Sequence, residues 1–390
     1  MLLHKTSIAG VALDSAGLVA LADLSLIKQR TALMGSASYF DIFFLAPGIH
    51  TQQDCTGVNG GELPYAGDMK NDYVFRIENP GTVSYLQSIS EPGYLVTVQV
   101  TRLKRRGCIR HFEHLYIGGF IPSLLYILGI AFTITSIALV SVIRDFWATA
   151  VLLLLIVARA INTVVVMSRC EKGRTGWKGG EEPQGKKAAL IILLSQDRWV
   201  CMKGLTEDIK LVTAGQWLSD PSPVESFAAA FAMLLVYVAA ALAINGTFVG
   251  NLIIAVLLLV SAGILSVCNS LTKDLHMFGC KVRIWKEGEK IPDEEDEEDI
   301  KARQGDEKGR HDGRRKYERR SEMATELLQK YRKQPGKAKW ATKMDLLTKE
   351  AVRAVQERDE DGDDDEDGDA QASAPIHSQG PSQASNRTRV

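Results

Sequence analysis

Charged residues almost vanish from two stretches of the chain, Ile117 to Met167 and Phe227 to Val267. A helix rising 1.5 Å per residue needs about 20 apolar residues to cross a hydrocarbon core of roughly 30 Å, so each stretch is too long for one crossing. A short polar turn breaks each near its middle: Arg144-Asp145 in the first, Asn245-Gly246-Thr247 in the second. The pattern predicts an α-helical membrane protein with four transmembrane helices in two hairpins. The first hairpin is 117–167, with spans 117–143 and 146–167; the second is 227–268, with spans 227–244 and 248–267.

Lysine and arginine set the expected orientation, because basic residues in short loops beside span ends stay on the cytoplasmic side. Arg102, Lys104, Arg105, Arg106 and Arg110 precede the first span. Arg169, Lys172, Arg174 and Lys178 follow the second, and Lys273, Lys281, Arg283 and Lys286 follow the fourth. Both termini and the central loop are therefore expected to be cytoplasmic, which leaves only the two short turns on the far side. Receptor, adhesion and secreted-enzyme functions are excluded by that layout. Fairly short third and fourth spans lean toward the endoplasmic reticulum over the plasma membrane.

Outside the spans the pattern changes by segment. Residues 1–72 show no clear periodicity. Met1 to Ala22 has a signal-like outline, but Asp14 interrupts it, and translocation would put the basic cluster before the first span on the wrong side. Residues 73–116 read as a small β-rich cytosolic region: strands at Tyr73–Ile77, Thr82–Ile89 and Tyr94–Leu103, separated by Asn79-Pro80-Gly81 and Glu91-Pro92-Gly93 as turns. In the cytosolic loop 168–226, Ala188 to Leu194 suits a strand. Thr206 followed by Glu207 and Asp208 suits a helix start, with Leu205, Ile209 and Val212 on one face. Trp199 and Trp217 are expected either at the headgroup interface or packed within this loop.

The run Leu194-Ser195-Gln196-Asp197-Arg198-Trp199-Val200-Cys201-Met202-Lys203-Gly204-Leu205, continued by Thr213-Ala214-Gly215-Gln216-Trp217-Leu218, resembles a segment of uncharacterised fungal multi-pass membrane proteins. The resemblance covers the central loop and its flanking hairpins, at most half of the chain. It implies the multi-pass architecture and no activity.

Residues 269–390 form a charged cytosolic tail, expected to be largely disordered. Asp293–Asp299 and Asp359–Asp369 are acidic blocks, and Arg314–Arg320 is basic. This polyampholyte averages against the apolar spans, so a net charge of −1 and a mean hydropathy of −0.03 describe no part of the protein. Two helices are expected in the tail, about 321–333 and 338–357. The second carries an apolar stripe of Trp340, Met344 and Leu347 that suits coiled-coil-like docking on a protein partner, the central loop or the membrane. The basic block suits anionic lipid headgroups, whereas nucleic acid is a poor partner for an acid-rich, membrane-tethered tail.

Candidate chemistry is sparse. Arg159 lies inside the second span, with Asn162 and Thr163 at i+3 and i+4 on the same helix face. An intramembrane charge is a functional candidate by default, although Arg159 stands close enough to the cytoplasmic end to snorkel. Cys108, Cys170, Cys268 and Cys280 fall near inner-face boundaries, where palmitoylation occurs, and none forms a C-x-x-C pair. His111, Glu113 and His114 lack further ligands for a metal. No catalytic, cofactor or metal site is expected. The leading expectation is a non-enzymatic scaffold or membrane-organising protein, similar in layout to reticulon-like shaping proteins. A channel or transporter subunit using Arg159 and Asn162 is the alternative.

Overall fold

The computed structural model describes residues 16–103, 119–176, 180, 183, 185–286, 313–331 and 339–355. Four of its helices are long and apolar enough to cross a membrane: α4 (Phe120–Ile143), α5 (Phe146–Thr175), α7 (Pro223–Ala243) and α8 (Phe248–Leu271). Phe120, Val142, Phe146, Phe227, Ile244 and Leu259 are all more than half exposed on them. So much outward apolar surface suits lipid contact and would be a liability in water.

The helices are joined in sequence as two blocks, but they do not pack chiefly as two hairpins. The most extensive contacts run between blocks, α5 on α7 and α4 on α8. Small residues permit this: Ala232, Ala239 and Ala243 are buried in α7, and Gly250 of α8 comes so close to α5 that a Cβ there would stand 2.3 Å from Asp145 Oδ2. The two polar turns meet at one end. Asp145 caps α5 by accepting from the Ala148 amide at 3.1 Å, and accepts from the Thr247 amide at 2.8 Å and hydroxyl at 2.6 Å. Thr247 in turn caps α8. At the opposite end Glu225, in a capping box with Ser222, accepts from Ser168 at 2.7 Å and Lys172 at 2.8 Å of α5.

That opposite end carries an eight-stranded sheet. Its strands are β1 (Tyr65–Asp68), β2 (Val74–Arg76) and β3 (Tyr94–Arg102) before the first span; β4 (Lys187–Leu194) and β5 (Arg198–Leu205) between the second and third; and β6 (Leu275–Met277), β7 (Cys280–Ile284) and β8 (Arg314–Lys316) after the fourth. The order is β2-β1-β4-β5-β3-β7-β6, with β8 also on β3, and only the β3–β5 pair is parallel. Three separate segments thus meet in one sheet, which is far larger than the small N-terminal sheet the sequence suggests. Strand alternation sorts its two faces. Val96, Val98, Leu190, Ile192, Val200 and Met202 join a core that includes Val166 and Cys170 of α5. Leu95, Ala189, Ile191, Trp199 and Cys201 face the other way, under α9 (Arg320–Lys330) and α10 (Lys339–Lys343).

Several expectations are corrected here. Residues 82–89 are helical, within α3 (Pro80–Ile89), because the Asn79 side chain accepts from the Gly81 and Thr82 amides and Pro80 takes the first helical position. Asn79-Pro80-Gly81 is a helix start, not a hairpin turn. Of the two alternatives for Trp199 and Trp217, packing holds: they are 3% and 0% exposed and sit in the two cores. The expected 338–357 helix is broken after Lys343, with Asp345 at positive φ. The helix α6 (Thr206–Thr213) forms as expected, against β5.

Candidate functional site

Residues 16–58 are ordered, and they occupy the bundle itself. Helix α1 (Ala16–Leu21) lies on α7 and α8, closely enough that a Cβ on Gly17 would stand 2.5 Å from the Ala240 carbonyl. Helix α2 (Leu26–Met34) packs on α8 and on β6, and Asn269 of α8 donates to the Leu26 carbonyl at 3.0 Å. Two 3-10 turns, Tyr39–Phe43 and Ile49–Gly57, then run along α5. Phe44, Leu45 and Ala46 between them are buried, and Phe44 stacks on Tyr126 of α4 at 5.0 Å, over Gly129, where a Cβ would meet its ring at 2.2 Å. This segment is a wedge between the span pairs.

The wedge brings polar groups to Arg159, which is 4% exposed. Arg159 Nη1 donates to Gln52 Oε1 at 2.6 Å, and Nε donates to the Asp41 carbonyl at 3.0 Å. Asn162 Nδ2 donates to the Ile49 carbonyl at 2.7 Å, and its Oδ1 accepts from Gln53 Nε2 at 3.0 Å. Two turns further, Arg169 Nη1 donates to Gln53 Oε1 at 3.2 Å and Nε to the Ser219 carbonyl at 2.8 Å. In a low-dielectric interior each of these donors would be expensive to leave unmet, so the ladder along one face of α5 fixes the wedge in place. The Asp41 carboxylate does not face Arg159 directly: it accepts from the Ser38 amide at 2.7 Å and from the Tyr126 hydroxyl.

The intramembrane polar candidates Arg159 and Asn162 are both buried, and they converge on one site. Their partners Asp41, Ile49, Gln52 and Gln53 carry no periodic signal and were missed. The available hint was physical: a buried arginine needs acceptors, and its own helix offers none.

The other sequence candidates are dispersed. Cys170, Cys268 and Cys280 are buried, and Cys108 lies outside the described residues, as do His111, Glu113 and His114. Cys55, also buried, stands beside Arg169, yet burial pushes its thiol up to about 12. That is the behaviour of an inert thiol, not a nucleophile. Trp340 and Met344 are 1% and 7% exposed against the outer face of the sheet, with Leu347 packed beside them. The expected docking stripe is thus packed within the chain, on the outer face of the sheet beside β1. Arg314 and Arg315, expected to meet lipid headgroups, pair with Glu91 and Glu326. Among the described residues no group of three or more His, Cys, Asp or Glu gathers as a metal site.

No family model, no curated protein and no solved structure matches this chain.

Proposed function

We propose that the protein is an integral membrane scaffold or membrane-organising protein without catalytic activity, with its sheet and both termini on the cytoplasmic side. One observation carries this reading: a sheet drawn from three separated segments at one end of four apolar helices. Such a sheet requires an even number of crossings between its segments, and the basic residues around those segments make that end cytoplasmic. The result is a rigid platform held at the membrane surface. The channel or transporter reading rests on Arg159 and Asn162. Both are engaged in holding the wedge, which favours a structural role for them.

Protease protection with tags at each terminus tests the orientation. Both tags are expected to be digested in intact vesicles whose cytoplasmic face is outward, and protection of either overturns it. Reconstitution into liposomes tests the function: no ion or solute flux above that of empty vesicles is expected. A flux abolished by Arg159→Gln would replace the scaffold reading with the channel one.

A further inference from the structure

The wedge encloses a charge imbalance. A small cavity between α2, the first 3-10 turn, α4 and α5 has room for about one water molecule. Two guanidiniums line it, Arg30 and Arg159, 7% and 4% exposed, along with the Thr31 and Ser38 side chains and Tyr126. Neither arginine forms an ion pair with any described carboxylate. Arg159 donates to two neutral oxygens, and Arg30 Nη1 donates to Thr272 Oγ1 at 2.9 Å while its guanidinium stands 5.5 Å from the centre of the Tyr126 ring. The carboxylate that also lines the cavity, Asp41, is turned to the Ser38 amide and Tyr126. Two buried cations against one anion, within a helix bundle that excludes water, leave a net positive charge whose desolvation is uncompensated.

We propose that this cavity is a binding site for a single monovalent anion of chloride size, held between Arg30 and Arg159. The chemistry follows from the lining. Guanidinium N–H groups are donors suited to a spherical anion, whereas the Thr31 and Tyr126 hydroxyls already donate to the Ile27 carbonyl and to Asp41, and the small volume excludes a lipid phosphate or a carboxylate-bearing metabolite. The bound anion would neutralise the site and join α2 of the wedge to α5, so occupancy would tighten the wedge on the bundle. This site does not depend on the scaffold reading, because it concerns retention of an ion and not its passage.

Equilibrium dialysis of the full-length protein in detergent micelles against radiolabelled chloride, with gluconate holding ionic strength constant, tests it. Saturable retention of about one chloride per chain is expected, together with a rise in melting temperature when chloride replaces gluconate. Arg30→Gln, which leaves the Arg159 ladder intact, should weaken retention roughly thirty-fold or more. No saturable retention by the wild-type protein means that the cavity holds water only and overturns the proposal. Retention unchanged by Arg30→Gln overturns the assignment to this cavity. The wild-type dialysis remains decisive even where the variant fails to fold.

Discussion

The N-terminal wedge and the C-terminal stretch after β8 both lack the long apolar runs that mark a core, yet each is built into the protein, on opposite sides of the sheet. They are held by different physics. The wedge is fixed by hydrogen bonds to side chains of a span: Gln52, Gln53 and the Asp41 and Ile49 carbonyls take Arg159, Asn162 and Arg169. The C-terminal stretch is fixed by large apolar anchors, Met323, Leu327, Leu328 and Trp340, laid on Leu95, Ile191 and Trp199. The difference follows from solvent. Water competes with hydrogen bonds at the outer face and leaves burial as the main stabilising term there, whereas next to lipid-facing helices burial is available everywhere and unmet polar groups decide the arrangement.

Arg159→Leu should break the comparison most severely. It removes both donors to the wedge and leaves Gln52 Oε1 and the Asp41 carbonyl without their partner, a loss of about 3–5 kcal/mol. Folded yield and thermal unfolding in detergent should fall together; an unchanged yield would mean that the ladder does not hold the wedge. Trp340→Ala should cost about 3 kcal/mol, but locally. Trypsin should cut within 314–355 much faster while the spans and wedge stay protected. Global unfolding by this variant would show that the outer layer is part of the central cooperative unit. At the far turn, Thr247→Val removes the α8 cap and a donor to Asp145, costing about 1–2 kcal/mol with little effect on either segment. A loss as large as that of Arg159→Leu would make the far turns, and not the wedge, the main clasp of the bundle.

What the sequence made legible tracks how local each stabilising contact is. The four apolar helices follow from run length alone. Strands β2, β3 and β4 and helix α6 follow from short-range pattern, whereas β5 was not expected, and Asn79-Pro80 held a helix signal that the β-favouring Thr82, Val83 and Tyr85 obscured. The closure of the sheet is not local: β3 pairs with β5 through Leu95 and Trp199, and with β7 through Val98 and Ile284. Periodicity gives no pairing information over such separations. The wedge was least legible because its 3-10 turns bury no continuous stripe and depend on bonds such as Arg159 to Asp41, 118 residues apart. The site was half visible for the same reason: the span supplied the conspicuous cation, while the acceptors came from a segment without periodicity.

The smallest expected effect probes the layer between the two regions. Asp208 of α6 is 1% exposed on the inner side of the sheet, with Arg102 Nε 3.6 Å from its carboxylate. Burial pushes its carboxyl above the ordinary carboxylate value, against the opposing pull of Arg102. A raised folded value means that the proton is held more tightly in the native state than in the unfolded chain. The stability this confers is full below the ordinary aspartate value and is lost as pH rises through the raised one. At neutral pH the ionised side chain is therefore a net burden, and Asp208→Asn should raise the melting temperature slightly. The advantage of the variant should shrink on acidification and disappear once Asp208 is protonated in both states. A variant less stable than wild type at neutral pH would show that the Arg102 contact outweighs desolvation, and that this inner layer is held by charge as the wedge is held by hydrogen bonds.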